Sequence, residues 1–96
     1  MKPSERLEPH REEARRIVAV HHHANLRVFG SVARGEDDEL SDIDLLVDLK
    51  PDASGFDFGD VHAELSDLLG VPVHLLTEAP IPRKHRERIL REAIAV

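Results

Sequence analysis

Gly30-Ser-Val-Ala-Arg-Gly-Glu-Asp-Asp-Glu-Leu-Ser-Asp-Ile-Asp44 is the stretch on which the reading of this chain turns. It opens on a turn suited to an anion and closes on two aspartates. Upstream, Asn25-Leu-Arg-Val-Phe29 has the composition of a short strand, so Gly30 and Ser31 fall where a strand gives way to the first turn of a helix. Free backbone N–H groups and the positive end of the helix dipole make such a turn attractive to phosphate. Gly30 lets the backbone approach a ligand closely, and Ser31 can cap the helix or offer its hydroxyl. Ten residues separate Ser31 from Asp42, and Asp44 follows two further on. Positions i and i+2 of a strand share a face, which would aim both carboxylates the same way from Cα atoms roughly 7 Å apart. Such a pair is a hard, oxygen-only donor set suited to Mg²⁺, which takes one or two protein carboxylates together with substrate phosphates.

Working outward, the spacing of Ala14, Ile17, Val18 and His21 predicts a helix over residues 9 to 23, with Pro9 in its first turn. His21, His22 and His23 near its end invite a metal reading. Consecutive helical residues point about 100° apart, however, which favours imidazoles near a helix C-terminus over ligands of one ion. After the strand at 25–29 comes a short helix at 31–35, and then Glu36-Asp-Asp-Glu39, either a solvated acidic loop or an aid to metal attraction. Residues 43–49 form a strand with Ile43, Leu45, Val47 and Leu49 on one face, and Asp44 and Leu46 on the other. Two aspartates on an otherwise apolar strand are costly beside a core unless partnered, which points to function. Asp48 lies four strand residues beyond Asp44, roughly 13 Å away and too far to share an ion with it.

Lys50 to Gly55 is a turn region. A second substantial helix runs from about Phe56 to Leu69, with Phe58, Val61, Leu65, Leu68 and Leu69 on one stripe and Gly70 as its stop. Val71 to Leu76 reads as a third strand, Pro72 marking its start or a sheet edge. The last helix is expected from about Pro82 to Ala95, burying Ile89, Leu90, Ala93 and Ile94. Arg83, Lys84, Arg86, Arg88 and Arg91 give it a basic surface, either solvated or in contact with a nucleotide or an acidic partner. Helices alternating with three short strands predict an α/β fold: a small mixed sheet with helices packed on it.

The whole chain, 96 residues, suits a single domain. With 41% hydrophobic and 33% charged residues it is ordinary globular material, and the absence of cysteine excludes disulfides and thiolate metal sites. No apolar run reaches the length of a membrane span, so the expectation is a soluble, cytoplasmic protein without a membrane partner. The net charge of −6 argues against broad nucleic-acid binding, and three Phe as the only aromatics leave no base-stacking platform.

The combination of Gly30-Ser31, ten residues, and Asp42-Ile43-Asp44 resembles the nucleotidyltransferase superfamily that includes DNA polymerase beta. With Ala33-Arg34-Gly35 and Ser41 also in place, the chain is most similar to the minimal nucleotidyltransferases paired with HEPN-domain toxins. The resemblance implies a polymerase beta palm-like fold in which Asp42 and Asp44 hold Mg²⁺ against the triphosphate of ATP or another nucleoside triphosphate. Gly30, Ser31, Arg34 and Ser41 would bind the nucleotide. A hydroxyl would attack the α-phosphate and release pyrophosphate. It also implies a HEPN-domain partner that accepts AMP on a tyrosine, with this chain as antitoxin. One departure stands out. Active members carry a third carboxylate in a stretch resembling Val-Asp-Leu-Val, and this chain has Val73-His74-Leu75-Leu76. His74 at that position is either a participant in catalysis, better suited to Mn²⁺ than to Mg²⁺, or a sign of a weakened site. The alternative function is therefore a nucleotide-binding antitoxin that neutralises its partner by complex formation. Oligomeric state, a homo-oligomer included, stays open.

Overall fold

The computed structural model describes residues 1–96. In chain order it contains α1 (Pro3–Leu7), a 3₁₀ turn (Glu8–His10), α2 (Arg11–Val20), β1 (His23–Phe29), α3 (Gly30–Arg34) and β2 (Ile43–Leu49). α4 (Gly55–Leu69), β3 (Val73–Leu76), α5 (Arg83–Glu92) and β4 (Ile94–Ala95) complete it. The strands form one mixed sheet in the order β3-β2-β1-β4. β2 runs parallel to β3, and β1 runs antiparallel to both β2 and β4. The α/β class and small mixed sheet expected from the sequence are what the chain adopts.

β2 is the strand on which the layers meet. Ile43, Leu45 and Val47 point to one face and are fully buried among Ala14 and Val18 of α2 and Val61, Leu65 and Leu69 of α4. Leu46 points to the opposite face and is equally buried, packed with Phe29, Ile81 and Ile89 beneath α5. A strand covered on both sides reads as a nearly continuous apolar run, as this one does. Leu49, placed on the buried face by the alternation, lies at the strand's end and is exposed.

Several boundaries differ from the sequence reading, β3 among them, which begins at Val73 and not at Val71 because Pro72 precedes the pairing with β2. The first helix does not run from 9 to 23: Pro9 sits in the 3₁₀ turn, α2 starts at Arg11, and a further short helix precedes it. The chain leaves α2 at His21 and reverses through His22, whose φ is +59°. His23 therefore opens β1 rather than closing a helix, and it is completely buried. Asn25, also left-handed at φ +55°, marks a bulge in β1, a conformation that Asn tolerates better than most residues. At the other end, α5 stops at Glu92, and Ile94 and Ala95 pair with Val28 and Arg27 as a fourth strand. Hydrophobic spacing had assigned Ile94 to a buried helical face; as part of a two-residue edge strand it is half exposed, and Leu90 is exposed as well.

α4 is fastened at its start by reciprocal bonds. The Ser54 hydroxyl accepts the Asp57 N–H at 3.2 Å, while the Asp57 carboxylate accepts the Ser54 N–H at 2.8 Å. The Ser54 N–H holds the Asp57 carboxyl below its ordinary range against the opposing effect of burial, and the Ser54 hydroxyl, His22 and His21 add to the lowering. A carboxyl depressed in the folded state stabilises the fold above its unfolded pKa, and that contribution is lost as pH falls through the folded value. Ser54→Ala should accordingly cost about 1 kcal/mol near neutral pH. The destabilisation caused by Asp57→Ala should be present near neutral pH and fade in acid, below the ordinary aspartate pKa of about 3.9. Urea denaturation at several pH values measures both.

Candidate functional site

Phe29, Asp44 and His74 form one row across the sheet: Phe29 of β1 lies opposite Asp44 of β2, and Asp44 opposite His74 of β3. Because paired residues share a face, this row lies on the side that also carries Leu46 and Leu76, away from the packing with α2 and α4. Asp42 precedes β2 instead of belonging to it, yet its carboxylate reaches the same imidazole. Asp42 Oδ2 is 3.0 Å from His74 Nε2, and Asp44 Oδ1 is 3.5 Å from His74 Nδ1. The two aspartates and His74 are thus brought together, with the imidazole occupying the space toward which both carboxylates aim.

Gly30 joins this group through the lack of a side chain. Its φ is +70°, and a Cβ there would lie 2.2 Å from Asp44 Oδ2. Helix α3 starts at Gly30 with no side-chain cap, so Ser31 does not take the capping role that the sequence allowed it. The Gly30 N–H instead donates to Glu92 Oε1 at 2.6 Å, and the same oxygen accepts from Arg34 Nη1 at 3.0 Å. Arg34 also donates to Glu36 at 2.7 Å. That bond chiefly raises its pKa, with burial opposing and Glu92 assisting. Ser41 stands apart from this cluster: its hydroxyl accepts the Asp38 N–H at 2.9 Å and donates to the Asp38 carboxylate at 3.2 Å, closing a turn in the acidic stretch. Within that stretch Asp37 is buried and accepts the Ser4 N–H at 2.9 Å, so it anchors α1.

Glu92 escaped the sequence reading. The available signal was its position, a carboxylate at the last turn of a strongly basic helix, where the macrodipole disfavours negative charge unless a donor compensates. The three histidines do not share a helix end, since only His21 caps α2 while His22 lies in the turn and His23 in β1, and each has a different partner. His21 meets Glu64, His22 Nδ1 lies 2.9 Å from Asp52, and His23 donates to the His21 carbonyl at 2.7 Å.

Burial raises the pKa of Asp44, and the nearby charges of Asp42 and Glu92 raise it further, with His74 and Arg34 partly offsetting them. Crowded carboxylates of this kind are relieved by a cation. No set of three His, Asp or Glu side chains is arranged to enclose a metal ion. Asp42 and Asp44 nonetheless fit a hard divalent ion that completes its shell with oxygens of a substrate, and the His74 imidazole lies between them. The site is open: none of the three concavities in the surface is lined by Gly30, Asp42, Asp44 or His74, although one of about 370 Å³ begins at Leu76, two residues along β3 from His74. No helix is long and apolar enough to cross a membrane.

Gly30→Ala should be more destabilising than Gly35→Ala. Both positions have φ near +70°, but nothing lies within 4 Å of a Cβ at Gly35, whereas at Gly30 it meets Asp44. Thermal melts should show a loss of about 1–3 kcal/mol for the backbone alone at Gly35 and a larger one at Gly30.

Comparison with known proteins gives a consistent result. A family model described as nucleotidyltransferase domain matches residues 7–96. The chain is 39% identical over 80 residues to a Methanocaldococcus jannaschii protein named "putative protein adenylyltransferase", covering 83% of this chain and 86% of the relative. Protein adenylyltransferase MntA of Thermococcus cleftensis is 34% identical over 90 residues, covering 94% of this chain and 88% of the relative. Among solved structures, a "putative minimal nucleotidyltransferase" superposes with a TM-score of 0.87 at 41% identity, covering 97% of this chain and 95% of that one. A toxin-antitoxin structure with AMP-PNP shares the fold, with a TM-score of 0.68 at 18% identity over 83% of this chain and 66% of that one.

Proposed function

The chain belongs to the nucleotidyltransferase domain family, and from that premise we propose that it transfers AMP from ATP to a hydroxyl of a partner protein, a HEPN-domain toxin, and so acts as an antitoxin. The observation that carries this reading is the convergence of Asp42 and Asp44 beside a turn whose glycine lies directly against Asp44. The names of the adenylyltransferase relatives support the reaction, and the toxin-antitoxin neighbour supports a protein partner.

In this reading the phosphates of ATP lie against the Gly30-Ser31 turn. Arg34 turns from Glu92 and Glu36 toward them, since a guanidinium forks well onto phosphate oxygens. Asp42 and Asp44 would hold Mg²⁺, or Mn²⁺ in its place, which would supply charge neutralisation to the triphosphate. The acceptor oxygen forms a bond to the α-phosphorus as the bond from that phosphorus to the bridging oxygen breaks. Pyrophosphate leaves with the bridging oxygen, and the acceptor's proton is released to solvent. Ser41, tied into the acidic turn, serves the nucleotide by holding the segment that leads into Asp42.

A second reading rests on His74. Its imidazole fills the space between the two carboxylates, where the family resemblance leads one to expect a third carboxylate, so a nucleotide-binding antitoxin with little turnover is the alternative. The discriminating variant is His74→Asp. With α-labelled ATP, Mg²⁺ and the HEPN partner, a gain in labelling identifies a weakened enzyme, and a loss shows that His74 contributes to the reaction. Asp42→Asn and Asp44→Asn should each reduce transfer about 100-fold or more; labelling unchanged in both rejects the transferase.

Asp44 offers an independent readout. A carboxyl with a raised folded-state pKa favours the fold while protonated, and that contribution is lost as pH rises through the folded value. At neutral pH the ionised carboxylate therefore weakens the fold. Asp44→Asn should raise the melting temperature in metal-free buffer, and Mg²⁺ with ATP should then stabilise the wild type more than the variant.

A further inference from the structure

The backbone of Gly30 lies between two carboxylates. On one side a Cβ would come within 2.2 Å of Asp44 Oδ2, and on the other the Gly30 N–H donates to Glu92 Oε1 at 2.6 Å. The same Glu92 oxygen accepts from Arg34 Nη1 at 3.0 Å. One carboxylate oxygen thus gathers the two donors, a backbone N–H and a guanidinium, that serve the phosphates in the transfer reading given above. Helix geometry does not account for the contact. Glu92 is the last residue of α5, where the macrodipole disfavours an anion, so the carboxylate is held there by Gly30 and Arg34. Its backbone is secured separately. The Ala93 N–H donates to the Ile89 carbonyl at 2.9 Å, Ile89 is buried beside Leu46, and Ile94 and Ala95 pair with β1 directly afterwards. The side chain alone can leave, and at 19% exposure it already borders solvent.

We propose that Glu92 is an internal competitor of the nucleotide's phosphates: its carboxylate occupies the donors of Gly30 and Arg34 as a surrogate anion and swings out by side-chain rotation when a polyphosphate arrives. The inference rests on the transfer reading, to which it adds the residue that sets the affinity. A second anion within hydrogen-bond distance of the same two donors is repelled by the first, so carboxylate and phosphate alternate there. The apparent affinity for the polyphosphate is then lowered in proportion to the fraction of molecules in which Glu92 has withdrawn. Pyrophosphate meets the same competition, and return of the carboxylate favours its release. Glu36 provides the internal comparison. It also pairs with Arg34, at 2.7 Å, but it is 63% exposed and makes no bond to Gly30.

The test is calorimetric titration with inorganic tripolyphosphate and with AMP-PNP, each in the presence of Mg²⁺. Glu92→Gln keeps the shape and an oxygen for the Gly30 N–H while removing the charge, and it should tighten both ligands about tenfold or more. Glu36→Gln, which breaks an exposed pair, should change them by less than about threefold. In the wild-type protein, the ¹³C signal of the Glu92 carboxyl and the amide signal of Gly30 should move together along one saturation curve as tripolyphosphate is added. Binding that is unchanged or weaker in Glu92→Gln overturns the competitor and makes Glu92 a support for the turn. Equal tightening by Glu36→Gln overturns it by assigning the effect to general repulsion. A Gly30 amide that shifts while the Glu92 carboxyl stays still overturns it in the wild type, whatever the folding of the variants, and so does the absence of polyphosphate binding in both wild type and Glu92→Gln. Tightening as described with no label passing from ATP to the HEPN partner leaves the role of Glu92 standing and counts against the transferase; labelling without tightening does the reverse.

Discussion

The contact between Gly30 and Asp44 is the constraint on which the arrangement depends. Strand β1 delivers its backbone into a turn at the place where β2 presents a carboxylate, and the two are so close that a single methyl group cannot stand between them. A turn with a side chain there would push Asp44 out of its row or tilt α3 away from the sheet. Either movement would separate the N–H groups of the turn from the carboxylates. The glycine thus does two things together: it permits the left-handed backbone that begins α3, and it removes the atom that would keep the turn apart from the Asp44 carboxylate.

The sheet separates stability from chemistry by face. One side is closed by α2 and α4 over a core without charge, and the other is only partly covered by α5, which leaves the Asp44 and His74 end accessible. α5 links the regions on this second face. Ile89 packs on Leu46, Glu92 accepts the Gly30 N–H, and Arg88 borders the concavity that begins at Leu76. A helix of ten residues therefore reaches the Gly30 turn at one end and lines the concavity beside Leu76 along its length, with a small apolar contact to the sheet between them.

What the sequence disclosed, and what it hid, follows from the range of the interactions. The Gly30 to Asp44 stretch was legible because its members are close along the chain and their spacing maps directly onto a strand–turn–helix followed by a strand. The apolar stripes of α2 and α4 were legible because periodicity reports burial on one face. Glu92 was hidden, since its bond to Gly30 spans 62 positions and no local pattern marks it. β4 was hidden for a related reason: Ile94 continues a helical spacing, and only the free edge of β1 makes the extended alternative available. His23 was drawn into a helix because its neighbours at 21 and 22 look the same, whereas the chain reverses at His22 through a left-handed residue that composition does not announce.

Asp44 rides on the central strand, the segment with partners on both edges and packed layers on both sides. Amide groups in such a strand are released to solvent only when the whole domain opens, whereas helix ends and edge strands open locally and often. Amide exchange should accordingly be slowest around the strand that carries this carboxylate and faster at the helix ends of Glu92 and Arg34 and at the β3 edge. The protein is built with an immobile anvil and adjustable jaws: ligands and partners can rearrange the periphery without disturbing the position of the group on which the chemistry is expected to turn.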